Sequence, residues 1–380
     1  MEESVQKGPV LFCTFFYILI QEVFMREIFT IVLVIIGALI GAGFASGQEI
    51  YSFFYSYGAI GIIGIIITCI LISITIYKSL KIICEDKIDN YDEFLKVFVK
   101  SEKVTRVINI VINTLLLVTF YIMIAGFGAY FEQEIGINKI IGSSILAIMT
   151  AVVFFTSVKG VLKVSEIIVP ILIIFIVVIG GTNLVTMNSQ EEITGMEKGW
   201  LLSSITYCSY NMILLIPALI SLRKQISKQS NIKYIAIITG IIMIIMSIMI
   251  YMLLIKVDVD ISTLEMPVVY VIRNCFPIFK TVYAFIILSS IFTTAISIGI
   301  GFLQNISENK KRYPQFVLFM CITSLIVSKF GFSKLVNLVY PLFGYLGILQ
   351  IILILRQKKY FKKNVLSYNI SKYQKIRRNE

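Results

Sequence analysis

Histidine is absent from the 380-residue chain, and charged residues make up only 15% of it. The missing imidazole excludes histidine-based acid–base catalysis and histidine metal sites. Tryptophan occurs once, and the six cysteines form no C-x-x-C pair, so no disulfide framework or cysteine metal site is predicted. We therefore expect neither enzyme activity nor a bound cofactor.

Hydrophobic residues are in excess, at 58% of the chain with a mean hydropathy of +0.90. Soluble proteins contain about 45–50% apolar residues. Apolar runs of about 20 residues, each long enough to cross a bilayer, recur along nearly the whole chain. The sequence thus predicts an all-α polytopic protein of the cell membrane that contacts membrane lipid.

The apolar runs predict ten membrane spans, of which the first and the sixth are interrupted by polar or glycine-rich segments. We expect the spans at roughly 28–57, 59–84, 104–130, 138–157, 164–186, 199–221, 231–255, 277–306, 313–331 and 333–355. Ten spans arranged as five and five would form an inverted repeat, because five is odd. Inverted repeats are typical of secondary transporters.

The net charge of +12 comes from lysines and arginines in the predicted loops and tail. These residues do not form a nucleic-acid-binding pattern, so no nucleic-acid partner is expected. With residue 26 inside, the predicted cytoplasmic segments hold 26 lysines and arginines and the outer segments hold seven. Positive residues concentrate on the cytoplasmic side of membrane proteins. Both termini of the membrane domain are therefore predicted to be cytoplasmic.

Three parts of the chain are predicted. Residues 25–356 form the transporter domain, and 357–380 form a basic cytoplasmic tail suited to an anionic membrane surface. Residues 1–24 form an extension with three interpretations. Translation starts at Met25, the segment is an interfacial helix, or it is an eleventh span.

The first span contains the segment GAGFASGQE, residues 41–49, whose glycines loosen a helix. An unwound break would present N–H groups near Ala45, Ser46 and Gly47 to a substrate carboxylate. The carbonyls ending the preceding half-helix would suit Na⁺. The alternative role of these glycines is close packing against a neighbouring helix. The predicted substrate-binding residues of this span are Gly41, Gly43, Ala45, Ser46 and Gly47.

Gln48 and Glu49 follow the glycines. A carboxylate within a span is costly and points to function. Glu49 has three interpretations: a proton or cation site, an acceptor that ties the two interrupted spans together, or a carboxylate reaching water at the outer end of the span. Gln48 is grouped with it as a coupling or supporting residue.

The sixth span is predicted to break near residues 207–211, where Ser209, Tyr210 and Asn211 would complete the substrate pocket. The interruption lies about 165 residues after the first, in the corresponding place of the second repeat. In the eighth span, Ser290, Thr293 and Thr294 belong to a ladder of hydroxyls. Such hydroxyls either bind a ligand or bond the carbonyl one turn earlier.

The GAGFASGQE segment and the ten-span layout resemble the YkvI-type bacterial membrane proteins, which are grouped with the amino acid–polyamine–cation superfamily. The resemblance implies a LeuT-like fold with a 5+5 inverted repeat. It also implies a Na⁺ site formed by Gly37, Ile40, Ser290, Thr293 and Thr294. Phe44 stands where that superfamily's sodium symporters place an asparagine of a second sodium site, so the resemblance does not extend to that second site.

The sequence therefore predicts a secondary transporter coupled to Na⁺ or H⁺, moving a small amino acid or related amine by alternating access. One alternative is an amino-acid-sensing receptor on the same fold, similar to germinant receptors. Another is a channel, although the continuous polar rings that a pore needs are not seen. Substrate identity, coupling ion, direction and oligomeric state are left open.

Overall fold

A computed structural model describes residues 26–99, 101–156, 159–185, 195, 198–306 and 312–357. The predicted N-terminal extension and nearly all of the basic tail lie outside the described residues. Within the helix at 159–185, the side chains of residues 167–182 are described. The described part of the chain is helical throughout, with short turns between the helices.

Fourteen α-helices are present in the described residues. They are α1 (26–39), α2 (Ala42–Ala45), α3 (Gln48–Phe53), α4 (Ile60–Glu85), α5 (Tyr91–Lys96), α6 (Glu102–Ile135), α7 (Lys139–Phe155), α8 (Lys159–Val185), α9 (Trp200–Leu222), α10 (Asn231–Leu254), α11 (Pro267–Cys275), α12 (Lys280–Ile306), α13 (Tyr313–Ser328) and α14 (Phe332–Arg356).

Six helices, α4, α6, α9, α10, α12 and α14, are long and apolar enough to cross a membrane. Shorter apolar helices are α7, the part of α8 at 167–182, and α13. A multi-pass helical membrane protein is therefore confirmed. The count of ten spans and the 5+5 repeat stay predictions.

The helices of the periphery are apolar on both faces because one face packs inside and the other meets lipid. In α7, Ile148 and Val152 are exposed while Leu146 is fully buried. The same helix approaches α6 closely, since a Cβ at Gly142 would lie 2.9 Å from the Cα of Gly128. Small residues allow this approach in a bilayer, where packing rather than water drives association.

The sixth predicted span is not broken, and that part of the prediction is wrong. α9 runs continuously from Trp200 to Leu222 and includes Pro217. Its polar groups bond within the helix, since the Ser209 hydroxyl and the Asn211 amide donate to carbonyls four residues earlier. With those groups satisfied and no glycine in the segment, nothing forces the backbone to unwind.

The interruption predicted in the first span is present. Ile40 and Gly41 leave the helical conformation between α1 and α2, and a turn at Ser46 and Gly47 separates α2 from α3. Gly47 has a φ of +82°, a left-handed conformation that favours glycine. The helix is thus interrupted twice within ten residues, and these interruptions position the side chains described below.

A helix that the sequence did not predict, α11, covers this break. The Val268 N–H donates to the Ser46 carbonyl over 2.9 Å. A Cβ on Gly47 would lie only 2.5 Å from a methyl carbon of Val268, so the glycine also permits close contact with α11. From α12, the Tyr283 hydroxyl donates to the Ala45 carbonyl. The break is thus enclosed by protein.

Candidate functional site

The break in the first span redirects one backbone donor. In a continuous helix the Phe44 N–H would donate to the Ile40 carbonyl. Here it donates to the carboxylate of Glu49, which has folded back from α3. The carboxylate therefore occupies a position beside the interrupted backbone.

Glu49 lies at the centre of the candidate site and is only 3% exposed. From α9, the hydroxyls of Tyr207 and Tyr210 donate to its Oε2 atom over 3.1 and 2.5 Å. A Cβ on Gly43 would lie 2.3 Å from its Oε1 atom, so only glycine leaves room for the carboxylate here. This side chain therefore joins the first span to α9.

The Glu49 carboxylate has no cationic partner among the described residues. The ion pairs found there are Lys81–Glu85, Lys139–Glu132, Arg223–Asp89, Arg273–Glu134 and Lys280–Glu134. An ionised carboxylate at the centre of a span costs about 2.5–3.5 kcal/mol on insertion scales. Three hydrogen-bond donors offset part of that cost, and a proton or an external cation would neutralise the remaining charge.

Aromatic rings surround the carboxylate. Tyr210 stacks against Tyr340 of α14 with ring centroids 4.6 Å apart, and against Phe53 at 5.8 Å. Tyr207 meets Phe53 edge-on at 5.0 Å. All four rings are buried. The ring contacts thus hold the two tyrosines in place, with their hydroxyls directed at the carboxylate.

The N–H groups predicted to hold a substrate carboxylate are engaged within the break. Those of Ala45, Ser46 and Gly47 donate to carbonyls three or four residues earlier, over 3.0, 2.8 and 3.0 Å. The Ser46 hydroxyl donates to the Gly43 carbonyl over 3.1 Å and accepts the Gln48 N–H over 3.3 Å. In this conformation these N–H groups are not available to a ligand, and their role stays a prediction.

The predicted pocket residues of α9 divide into two groups. Tyr210 reaches Glu49, as described above. The Ser209 hydroxyl and the Asn211 amide donate hydrogen bonds to carbonyls of their own helix, over 2.7 and 2.9 Å. The Ser209 carbonyl also faces α14, since a Cβ on Gly347 would lie 2.7 Å from it. The structure brings only Tyr210 of the three to the carboxylate.

Two backbone carbonyls predicted to bind Na⁺ lie at the end of α1. The described backbone hydrogen bonds include none from Gly41 to the Gly37 carbonyl and none from Phe44 to the Ile40 carbonyl. Both carbonyls therefore lack the donor that a continuous helix would supply. The opposite side of Gly37 contacts α8, where a Cβ would lie 2.9 Å from a Val169 methyl carbon.

α12 supplies the other predicted Na⁺ residues and lies next to the break. The Thr294 methyl carbon is 4.0 Å from the position that a Cβ on Gly41 would take. Ser290 and Thr293 are each 5% exposed, and the Thr293 hydroxyl donates to the Ser290 carbonyl over 3.1 Å. The structure thus places the predicted residues in one region, and sodium binding there stays a prediction.

Gln48 connects the break to α14. Its Nε2 atom donates to the Ser333 hydroxyl over 2.8 Å and to Asn337 Oδ1 over 3.2 Å. The Ser52 hydroxyl also donates to Asn337. The Gln48 Oε1 atom is buried without a hydrogen-bond partner. An unpaired buried acceptor is costly, and a ligand that donates a hydrogen bond to this oxygen would remove that cost.

Several residues of the site were not predicted as such. They are Phe53, Tyr207, Ser333, Asn337 and Tyr340. Two spacings pointed to three of them, because residues three or four apart share a helix face: Tyr207 with Tyr210, and Ser333 with Asn337. Nothing in the sequence showed that the first face meets Glu49 and the second meets Gln48.

Comparisons with known proteins agree with this description. No protein-family model matches the chain. The membrane protein YkvI of Bacillus subtilis (strain 168) is 29% identical over 321 residues, which cover 83% of this chain and 91% of YkvI. The resemblance to YkvI-type membrane proteins is confirmed. YyaD of the same organism is 26% identical over 331 residues, covering 85% of this chain and 94% of YyaD.

A solved structure shares the fold. The chain superposes on a mutant of the Eremococcus coleocola manganese transporter with a TM-score of 0.58 and 12% sequence identity. The match covers 88% of this chain and 79% of that transporter. At this identity the likeness concerns the fold alone. The protein is thus similar to the YkvI membrane protein in sequence and to this transporter in fold.

Proposed function

We propose that the protein is a secondary transporter coupled to H⁺ or Na⁺, moving a small amino acid or related amine by alternating access. The observation that carries the proposal is Glu49, a buried carboxylate at a helix break without a cationic partner in the described residues. Transporters build their sites at such breaks. The fold likeness to a known transporter supports the same function.

The energetics of Glu49 explain why a cation would be needed. Ionised and unpaired, the side chain would hold a negative charge in a region that solvates charge poorly. Protonation or a bound cation removes that charge, so each stable state of the site carries one neutralising positive charge. A protein that changes between outward and inward openings could then carry that charge across the membrane.

The proposal includes the inverted 5+5 repeat with both termini of the membrane domain in the cytoplasm. The distribution of lysine and arginine supports this orientation. The contact between Glu49 and the tyrosines of α9 supports the repeat. It joins the first and the sixth predicted spans, which hold corresponding places in the two halves.

The choice between proton and sodium rests on two parts of the site. Glu49 offers a group that can be protonated. The carbonyls of Gly37 and Ile40, with Ser290, Thr293 and Thr294 nearby, offer neutral oxygens that suit Na⁺. A divalent ion such as the neighbour's manganese would bring two charges to a break that contains one described carboxylate. We therefore propose a monovalent cation as the coupling ion.

Reconstituted liposomes test the proposal. Uptake of labelled amino acids and amines would be measured under an imposed pH gradient, an imposed Na⁺ gradient, and no gradient. We expect one gradient to drive uptake, and Glu49→Gln to abolish it. Glu132→Gln, which changes an exposed carboxylate of the α6 end, is the matched control and should retain uptake.

Absence of uptake under both gradients would contradict transport. Ligand binding without uptake, together with copurifying membrane subunits, would favour the receptor alternative instead.

A further inference from the structure

Within the described part of the chain, the atoms at the break for which no hydrogen-bond partner is found are acceptors. They are the Oε1 atom of Gln48 and the carbonyls of Gly37 and Ile40. The Glu49 carboxylate adds a negative charge. A ligand that completes this set must supply donors and positive charge, as a protonated amine does with its N–H groups.

Groups that would bind a substrate carboxylate are occupied or missing. The N–H groups of Ala45, Ser46 and Gly47 donate within the break, and the Phe44 N–H donates to Glu49. No lysine or arginine of the described residues pairs with a group at the break. A second carboxylate placed here would meet the negative charge of Glu49, so its binding is disfavoured.

We propose that Glu49 is a shared site for a proton and for a small organic amine that lacks a carboxylate, and that the protein exchanges the two. This inference rests on the proposed transport function at the same site. It selects the amine over the amino acid as the substrate class, because the acceptors at the break suit the N–H groups of an ammonium, whereas the N–H groups that could bind a substrate carboxylate are already engaged.

Exchange follows from the single charge. A protonated Glu49 must release its proton to water before the carboxylate can pair with an ammonium group, and the reverse step takes up a proton as the amine leaves. At Glu49 an ammonium group of charge +1 replaces a proton of charge +1, and the reverse step restores the proton. Because proton and amine compete for one carboxylate, they cannot cross together, and the protein would return a proton for each amine moved.

Other titratable groups around Glu49 do not supply this proton. Those that interact with it are Tyr207 and Tyr210 on α9 and Tyr340 on α14, and Cys69 on α4 lies near Tyr207. Tyr283 on α12 donates to the Ala45 carbonyl of the break, and Tyr251 on α10 donates to the Gly58 carbonyl. Thiols and phenols of this kind are neutral at physiological pH. Glu49 is the carboxylate among these described groups.

Matched ligand pairs test the inference on the purified full-length protein. Phenethylamine would be compared with phenylalanine, and isopentylamine with leucine, by calorimetric titration in buffers of different ionisation enthalpy. We expect the amines to bind with release of about one proton each, and with affinity falling up to tenfold per pH unit as the medium is acidified. We expect the amino acids to bind at least tenfold more weakly.

Glu49→Gln should lose both amine binding and proton release. If this variant fails to fold, proton release by the unaltered protein still decides the question. Tighter binding of the amino acids, amine binding without proton release, or stabilisation by Na⁺ alone would overturn the inference.

Transport measurements separate this inference from the proposed function. If amines bind with proton release but a pH gradient does not move them into liposomes, the transport proposal fails and the shared site stands. If a Na⁺ gradient drives uptake of an amino acid, transport stands and the shared site is wrong.

Discussion

The Tyr210 hydroxyl donates to the Glu49 carboxylate across 2.5 Å, which links α9 to the broken first helix. Both side chains are almost fully buried. Hydrogen bonds to charged or strongly polar acceptors in such places are short and comparatively strong. Any movement of the first helix relative to α9 must break or carry this contact, so it couples the state of the carboxylate to the conformation of the protein.

Tyr210→Phe tests that link. Removal of the hydroxyl takes one of three donors from Glu49 while keeping the ring that stacks on Tyr340. We expect a loss of roughly 1 kcal/mol in the free energy of unfolding, measured by denaturation in detergent. Tyr345→Phe, at an exposed position of α14, is the control and should change little. Equal losses in both variants would show that the contact contributes nothing particular.

The break itself could be predicted from the sequence, whereas the presence of the Glu49 carboxylate beside it could not. The glycines at 41, 43 and 47 indicate a loosened helix, and the structure shows one. Sequence could not show that Glu49 folds back over its own break, because that depends on tyrosines contributed by α9 about 160 residues later. The N–H groups expected to be free are used instead by nearby carbonyls.

In the sixth span, the sequence predicted a break that the structure does not contain. Its serine, tyrosine and asparagine suggested a second break, but polar side chains in a helix can bond the turn before them. Ser209 and Asn211 do so. Continuous helices such as α10 were easier to predict, since an uninterrupted apolar run admits one reading: about 231–255 was expected and Asn231–Leu254 is found. Polar residues alone do not break α9, and closely spaced glycines alone do not break a helix either, since Gly126 and Gly128 lie within the continuous α6.

Gly43→Ala should damage the site without a change of polarity. The new methyl group would lie 2.3 Å from the Glu49 Oε1 atom, so the carboxylate must leave its donors. We expect at least a tenfold loss of ligand affinity and a destabilisation of about 1–3 kcal/mol. Gly181→Ala in α8, where no atom lies within 4 Å of the new Cβ, should keep wild-type affinity. An unaffected Gly43→Ala protein would contradict the position of the carboxylate.

Ser209→Ala separates the two candidate roles of α9. The Ser209 hydroxyl donates to the Ile205 carbonyl within the helix, so its loss should leave ligand affinity within about twofold. Affinity would be measured by titration with the same amine and amino-acid pairs as above. A large drop would restore the prediction that this serine binds substrate, and would require α9 to open in another conformation.

Thr294→Ala addresses the predicted sodium site. Its side chain lies beside Gly41, at the end of α1 whose carbonyls lack helical donors. If Na⁺ binds there, loss of the hydroxyl should reduce sodium dependence of uptake at least tenfold while the order of substrates stays the same. Thr294→Ser keeps the hydroxyl and should retain most of the dependence. Uptake that never depended on Na⁺, in any of the three proteins, would remove this site from the proposal.

Asp86, which follows the last residue of α4 outside the membrane, should make stability fall as the pH rises. Partial burial and the neighbouring Glu85 carboxylate raise the pKa of Asp86 to about 6 from an ordinary value of 3.8. The negative end of the helix dipole also disfavours its ionised form. Between these two pKa values the folded state binds more protons than the unfolded state, so the free energy of unfolding declines as the pH rises across this window. Above the window the free energy of unfolding stays at its lowered value. Asp86→Asn should therefore raise the unfolding temperature at about pH 7.5 and leave it nearly unchanged at about pH 4. An equal rise at both pH values would mean that the substitution acts through something other than the charge.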